Sequence, residues 1–169
     1  GRVNVSDGGV RIELREHVGV CRIDSPATRN ALGPELLGAL IAGLESLDSN
    51  EDVRVIALVG SEEVFATGAD ARTLTAARPD TDLEAEFWRR FGAIGAPIVA
   101  GASGWALGTG CELLFACDLV VASKATRFGQ PEVALGLIPG GGAIHRLVHS
   151  LGRQRAMDLI LSGRRWSAE

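Results

Sequence analysis

The sequence contains a single lysine, and this scarcity excludes one large class of enzymes. Lys124 follows Ala122 and Ser123, so no glycine-rich loop of this chain ends in Lys-Ser or Lys-Thr. The loop that cradles nucleotide phosphates in P-loop enzymes requires that ending. A P-loop enzyme is therefore excluded.

Cysteine is also scarce, and its pattern argues against a disulfide framework. Cys21, Cys111 and Cys117 are odd in number and lie within apolar runs. Buried thiols of this kind are typical of a reducing compartment. We therefore expect a cytoplasmic location.

Long apolar runs and blocks of like charge are absent from the sequence. No apolar run approaches the roughly 18 residues needed to cross a bilayer, and the first residues lack the basic-then-apolar pattern of a signal peptide. The net charge is −4, which is unsuited to a nucleic acid or an anionic membrane as main partner. We expect neither partner.

Glycine, in contrast, is abundant and clustered. The 22 glycines concentrate at 101–110 and 136–142, which favours tight turns or close approach to a ligand.

With 46% hydrophobic residues, residues 1–169 are expected to form one domain that buries roughly 70% of its unfolded surface.

The periodicity of apolar residues predicts alternating strands and helices. A β-hairpin is predicted at 10–14 and 18–23, buried strands at 55–59 and 98–102, a third strand at 119–122, and helices at 35–48, 83–94, 111–116, 143–151 and 154–162. Residues 72–82 are predicted to be loose, and another helix is expected to begin near Glu169. Such alternation predicts an α/β fold.

Two glycine-containing loops are expected to line one pocket. Residues 65–70 and 104–110 follow predicted strands, and ligands of α/β proteins bind beyond the carboxyl ends of parallel strands. Main-chain N–H groups at helix starts can face an anion or a carbonyl oxygen that gains charge. Glu112 and Glu132 lie in the same apolar, glycine-lined setting, where a charge is costly unless chemistry requires it.

Competing motifs are incomplete in this sequence. Gly108-Thr-Gly110 begins like a dinucleotide-binding motif, but Leu113 occupies the position of the third glycine. Ser103 resembles the serine of a nucleophile elbow, but Trp105 occupies the place of the closing glycine. NAD binding and serine hydrolysis are therefore poorly supported.

Two further candidate sites have simpler interpretations. Cys111 is interpreted as an inert buried thiol, since the sequence places no histidine beside it. His145 and His149 have the spacing of zinc ligands on a helix, but no third ligand is evident. An exposed helix face explains them better.

Five segments resemble the enoyl-CoA hydratase/isomerase (crotonase) superfamily along nearly the whole chain. They are Pro26-Ala-Thr-Arg-Asn-Ala-Leu32, Phe65-Ala-Thr-Gly-Ala-Asp70, Ala96 to Leu113 (APIVAGASGWALGTGCEL), Cys117-Asp118-Leu119 and Phe128 to Gly140 (FGQPEVALGLIPG). The resemblance implies a spiral of ββα units that binds acyl-CoA thioesters, usually as a homotrimer or a dimer of trimers. The family's further C-terminal helices are expected to be missing from this sequence.

The resemblance also implies roles for individual residues. The main-chain N–H groups of Ala69 and Thr109 would form the oxyanion hole for the thioester oxygen. Glu112 and Glu132 would hold the water that adds to the 2,3 double bond of an enoyl-CoA. Neither a metal nor a redox cofactor is expected.

Substrate-binding residues follow from the same resemblance. Coenzyme A would pass Arg29 and the turn 66–69, with contacts from Ala66, Gly68, Asp70 and Gly108. The Arg29 charge would suit a phosphate group. A solvent-exposed loop arginine is the alternative.

Two departures from the family pattern bear on these expectations. Thr109 occupies a position where the family commonly has glycine, so its N–H is placed correctly only if the local backbone is right-handed. Ala143-Ile144-His145 replaces the more usual Gly-Thr-Gln, which is expected to affect packing more than chemistry.

The presence of both glutamates favours an enoyl-CoA hydratase. Double-bond isomerisation or decarboxylation through the same enolate remains an alternative. A non-catalytic acyl-CoA-binding or oligomer-forming protein is another, if the pocket is open to water.

Overall fold

Two β-sheets form the framework of the computed structural model, which describes residues 5–70 and 81–169. The first sheet has the spatial order β1 (Val5–Asp7), β2 (Val10–Arg15), β3 (Val18–Ile23), β4 (Val55–Val59), β6 (Ile98–Ala102) and β8 (Leu119–Ala122). The second has the order β10 (Arg165–Ser167), β9 (Arg127–Gly129), β7 (Trp105–Leu107) and β5 (Val64–Ala66). Strands β3, β4, β6 and β8 are parallel neighbours, as are β5, β7 and β9.

Helices follow pairs of strands in a repeating order. They are α1 (Pro34–Asp48), α2 (Thr81–Phe91), α3 (Thr109–Ala116), α4 (Ala143–Leu151) and α5 (Arg153–Ser162), with 3₁₀ helices at Pro26–Thr28 and Pro131–Leu135. The units β4-β5-α2, β6-β7-α3 and β8-β9-α4 each place their first strand in the first sheet and their second strand in the second. The predicted α/β fold, a spiral of ββα units, is confirmed.

Helix α1 shows how the sequence pattern produces this packing. Pro34 stands in its first turn, where the missing N–H costs no hydrogen bond. Its buried side chains recur at helical spacing and are Leu36, Leu37, Leu40, Ile41, Leu44 and Leu47. They pack in one core cluster with Ile56 and Leu58 of β4, both fully buried. The amphipathic pattern therefore fixes which face of α1 meets the first sheet.

Most predicted elements are confirmed, and several details differ. Val64–Ala66 and Trp105–Leu107 are strands, although residues 65–70 and 104–110 were predicted to form loops, because β5 and β7 pair with each other. Helix α3 begins at Thr109, two residues before the predicted start. The third strand, β8, is not buried: it is the edge strand of its sheet, and all four of its residues are exposed. At the end of the sequence, Arg165–Ser167 pairs with β9 as a strand.

Most of the segment predicted to be loose, residues 72–80, lies outside the described residues. Its last two residues, 81 and 82, belong to helix α2, which begins at Thr81. Within the described ranges, no helix combines the length and apolar character needed to cross a bilayer.

Candidate functional site

The candidate site lies at one edge of the second sheet. Residues 67–70 follow β5, Gly108 follows β7, and residues 130–132 follow β9. Because these three strands are parallel neighbours, the segments that follow them meet at the same edge. The Gly108 N–H donates to the Gly129 carbonyl at 2.9 Å, which ties two of the segments together. The structure thus brings together the segments that hold the predicted site residues.

Two glycines shape the main chain around the predicted N–H donors. Gly68 and Gly108 have φ values of +98° and +50°, which glycine adopts without steric cost. A Cβ added at Gly68 would lie 3.6 Å from the Gly108 Cα, so the two turns run side by side. Each glycine directly precedes one donor, Ala69 or Thr109. The two donors therefore occupy neighbouring turns.

Within the described residues, the N–H groups of Ala69 and Thr109 hold no part of the fold together. Thr109 is the first residue of α3, where an N–H has no partner within the helix, and its backbone is not left-handed. Leu32 and Ala69 form an isolated β-bridge. Its hydrogen bond runs from the Leu32 N–H to the Gly68 carbonyl, at 2.8 Å, so the bridge does not use the Ala69 N–H. No described backbone group accepts a hydrogen bond from either donor. The threonine thus meets the condition of a right-handed backbone.

Glu112 stands in the first turn of α3 with its side chain almost completely buried. Its residue is 1% exposed, and its N–H donates to the Gly108 carbonyl at 2.9 Å. The Gly140 main chain donates a hydrogen bond to the carboxyl group, whereas Oε2 has no hydrogen-bond partner among the described residues. A buried carboxyl oxygen without a partner is rare, which marks Glu112 as a candidate for chemistry.

Glu132 lies in the 3₁₀ helix beside Gly108 and is held by a buried amide. A Cβ added at Gly108 would lie 2.8 Å from Glu132 Oε1. When its amide nitrogen is turned toward Glu132, the fully buried Gln130 donates to both Glu132 oxygens, at 3.1 and 3.0 Å. We assign this orientation because the opposite one places the Gln130 oxygen against the two carboxylate oxygens. Gln130 thus fixes the direction of the Glu132 carboxyl group.

The two acids influence each other's protonation. Burial, together with the charges of Glu132 and Glu84, raises the pKa of Glu112 to about 8, against hydrogen bonding from Gly140 and the charge of Arg146. Burial also raises the pKa of Glu132. Near neutral pH the Glu112 carboxyl group therefore keeps its proton and can donate it.

We expect the raised pKa of Glu112 to make stability fall as pH rises. Between about pH 4.5 and 8 the folded protein keeps a proton on Glu112 that the unfolded chain has lost. Rising pH therefore favours unfolding by a few kcal/mol over this window. Glu112→Gln removes this pH-dependent contribution to the free energy of unfolding. Urea unfolding should therefore show the variant gaining stability relative to the wild type as pH increases. A difference between the two proteins that stays constant from pH 5 to pH 8.5 contradicts the expectation.

The predicted substrate-binding residues lie around the same turns. Arg29 is exposed, and its carbonyl accepts a hydrogen bond from the Thr67 hydroxyl at 3.1 Å. Ala66 is fully buried and Asp70 is 8% exposed. A Cβ added at Gly110 would lie 2.7 Å from the Ala66 Cβ. The Ala66 carbonyl oxygen would lie 2.5 Å from the same Cβ. Both the side chain and the carbonyl of Ala66 therefore pack against the start of α3, and the residue exposes no surface to a ligand.

Asn30 is a positioning residue that sequence analysis did not single out. It is 2% exposed and has a left-handed backbone, with φ +55°. Its amide donates to the Ile23 and Phe65 carbonyls at 3.2 and 3.1 Å and accepts from the Ser25 N–H at 2.8 Å. It thereby ties the first sheet to the strand that precedes the Gly68 turn. The signal available in the sequence was an asparagine, a residue that tolerates this conformation, at the end of a turn.

The remaining candidates match their simpler interpretations. Cys111 is fully buried, and burial raises the pKa of its thiol to about 12, which suits an inert thiol. The rings of His145 and His149 stack 6.5 Å apart on α4, and both residues are exposed. The described part of the chain contains no group of three or more histidine, cysteine or acidic residues arranged to hold a metal ion.

Comparisons with known proteins agree on one family. The enoyl-CoA hydratase/isomerase family model matches residues 13–169. A Rhizobium meliloti protein named "probable enoyl-CoA hydratase" is 40% identical over 160 residues, which cover 93% of this chain and 62% of the relative. The Escherichia coli 2,3-dehydroadipyl-CoA hydratase is 36% identical over 161 residues, or 94% of this chain and 63% of the relative.

Solved structures give the same result for the fold. The crystal structure of an enoyl-CoA hydratase from Bacillus anthracis superposes with a TM-score of 0.88 at 29% identity, and the match covers 95% of this chain and 65% of the other. The chain spans less than two thirds of the length of each of these three proteins. The family match over residues 13–169 and the shared fold lead to one conclusion: this chain belongs to the enoyl-CoA hydratase/isomerase family.

Proposed function

We propose that the protein is an enoyl-CoA hydratase that adds water in a syn manner across the 2,3 double bond of a 2-enoyl-CoA thioester. The observation that carries the proposal is the placement of Glu112 and Glu132 beside two main-chain N–H groups that the fold does not use. The names of the relatives support the same activity. No metal or redox cofactor is part of the proposal.

In this proposal, the Ala69 and Thr109 N–H groups bind the thioester oxygen. Adding a nucleophile at the 3-carbon moves electrons toward that oxygen and produces an enolate. Donors fixed by the backbone need no reorganisation as the charge develops, and each donor typically contributes a factor of about 10² to 10³ in rate. The position of Thr109 at the start of α3 adds the positive end of the helix.

The two carboxyl groups handle the protons of the reaction. One carboxylate takes a proton from the attacking water, and the other carboxyl group gives a proton to the 2-carbon, so the pair ends with the same number of protons. The raised pKa of Glu112 keeps a proton on this carboxyl group near neutral pH. Glu112 Oε2, which has no hydrogen-bond partner among the described residues, is proposed to bind the water. Each positioned acid or base contributes about 10² to 10⁴ in rate.

Coenzyme A binding and assembly complete the proposal. The exposed Arg29 guanidinium is proposed to bind a phosphate group, and Gly68, Asp70 and Gly108 to line the thioester end.

Assembly as a homotrimer or a dimer of trimers is supported by β8, an edge strand with Leu119 and Val121 64% and 66% exposed. Apolar edges of this kind are commonly covered by a neighbouring subunit. Light scattering of the native protein measures the assembly.

Hydration of crotonyl-CoA and longer 2-enoyl-CoA thioesters tests the activity. The native protein, in its full length, is expected to consume the conjugated thioester and form the 3-hydroxyacyl-CoA product, which mass spectrometry and NMR identify. Isomerised or decarboxylated product would favour another reaction through the same enolate. Acyl-CoA binding without turnover, measured by calorimetry, would favour a non-catalytic binding protein.

A further inference from the structure

A second group of residues lies against the buried Glu112 carboxyl group. The turn 140–142 contacts Glu112 through the Gly140 hydrogen bond, and Gly141 directly adjoins the acid and the Trp88 ring. A Cβ added at Gly141 would lie 2.6 Å from Trp88 Cε2 and would collide with Glu112 Oε2. This turn is therefore packed between α2 and α3 without space for a side chain.

Arg146 joins this turn to Trp88. Its Nη1 donates a hydrogen bond to the Gly141 carbonyl, and its guanidinium lies 5.6 Å from the centre of the Trp88 ring. The residue is half-buried in the first turn of α4, where its N–H donates to the Gly142 carbonyl at 3.1 Å. Arg146 therefore contacts the turn with both its backbone and its side chain.

Trp88 is itself fixed on several sides. Its Nε1–H donates to Glu84 Oε1 at 3.4 Å. The rings of Phe87 and Phe91 lie edge-on to it, with centroids 5.2 and 6.1 Å away. An aromatic ring held by a carboxylate, a guanidinium and two neighbouring rings offers a rigid surface for the glycine turn.

We infer that Arg146 is a positioning residue for the Glu112 carboxyl group: bound to the Gly141 carbonyl and stacked on Trp88, it fixes the turn 140–142 against that acid. The inference rests on the proposed hydratase function, because it gives Glu112 a place in catalysis. Arg146 itself contacts neither the Ala69 turn nor Glu132 in any described interaction. Its effect on the reaction passes through the turn.

The charges around Glu112 give the inference a second consequence. Glu132 from the 3₁₀ helix and Glu84 from α2 raise the pKa of Glu112, and Arg146 from α4 opposes them. Removal of the Arg146 charge leaves two carboxylates acting on Glu112 without this opposition. The pKa of Glu112 should then rise above about 8, and the limb of the pH–rate profile that depends on Glu112 should move to higher pH.

Two substitutions at Arg146 separate its contacts from its charge. Arg146→Met keeps the length of the side chain but removes the donor and the charge, whereas Arg146→Lys keeps the charge and loses the planar stacking group. With crotonyl-CoA, we expect Arg146→Met to lower kcat about tenfold or more, to leave KM within about twofold, and to move the Glu112 limb to higher pH. Arg146→Lys should lower kcat without moving the limb.

Arg165→Met is the matched control. The Arg165 guanidinium lies 5.2 Å over the Trp105 ring, so the variant removes the same kind of contact on β10, away from Glu112. It should leave both kcat and the pH profile unchanged. Circular dichroism establishes that each variant is folded, and if Arg146→Met is unfolded, the kcat of Arg146→Lys decides the inference. Arg146 variants that behave like Arg165→Met overturn it.

A measurement without turnover separates this inference from the proposed function. The Glu112 carboxyl ¹³C resonance, assigned by its loss in Glu112→Gln, should titrate at higher pH in Arg146→Met than in the wild type. If the wild type does not hydrate crotonyl-CoA but this shift is found, the proposed function fails and the positioning of Glu112 by Arg146 stands. If the wild type is active and Arg146→Met changes neither the resonance nor kcat, the inference alone is wrong.

Discussion

Replacing either Glu112 or Glu132 by glutamine is expected to lower kcat for the hydration of crotonyl-CoA by about 10² to 10⁴-fold. Glutamine has nearly the same shape as glutamate, but it can neither take a proton from water nor give one to the 2-carbon. Glu112 is almost fully buried, and Gln130 holds Glu132, so neither variant has an obvious replacement base. Steady-state kinetics of the purified variants measure the loss.

Glu35→Gln provides the control for this prediction. Glu35 occupies the first turn of α1 as Glu112 occupies the first turn of α3, but it is exposed. If the two acids of the site serve only to stabilise helix starts, all three variants should retain similar activity. The double variant Glu112→Gln/Glu132→Gln should lose much less than the product of the two single losses, because the acids act as a unit. Full activity in Glu132→Gln contradicts the mechanism.

Thr109→Pro should lower kcat by about 10² to 10³-fold, because it removes one donor from the proposed oxyanion hole. Proline lacks the backbone N–H, and its fixed φ suits the first position of a helix. Thr109 occupies that position in α3, and its N–H has no acceptor in the described backbone. The substitution therefore removes the donor without removing a hydrogen bond that holds the helix.

Thr109→Val distinguishes the donor from the side chain. Valine keeps the N–H and the branched shape but loses the hydroxyl group, so kcat should stay within a few-fold of the wild type. Thermal unfolding of both variants measures any effect on the fold. Equal kcat values for Thr109→Pro and Thr109→Val would show that this N–H does not stabilise the enolate.

The sequence predicted long elements well because their periodicity is local. The six buried residues of α1 and the apolar runs of β4 and β6 carry their pattern within a single segment. Strands β5, β7 and β9 have three residues each, which is too short for alternation to be recognised. The residue pattern alone therefore predicted β2, β3, β4, β6 and β8 of the first sheet but not its three-residue strand β1. It predicted none of the strands of the second sheet, and the family resemblance implied only a spiral of ββα units.

The strands that carry the site loops were therefore predicted wrongly from the residue pattern. The site loops follow β5, β7 and β9, whereas the sequence pattern placed them after the longer strands of the first sheet. Glu112 and Glu132 were predicted from their motifs, but the contacts of Gln130, Asn30 and Arg146 join segments far apart in the chain. Such contacts depend on how the two sheets pack, which local propensity does not determine.

Two buried thiols, Cys21 and Cys111, offer a way to follow motions of the site, whereas Cys117 is only partly buried. Burial raises the pKa values of Cys21, Cys111 and Cys117 to about 12, so the closed protein presents almost no reactive thiolate at neutral pH. Alkylation then requires the surrounding segment to open, so the alkylation rate reports how readily that segment opens. Cys111 adjoins Glu112, whereas Cys21 lies in β3. Comparison of their labelling rates would reveal whether the helix that carries Glu112 opens independently of the first sheet.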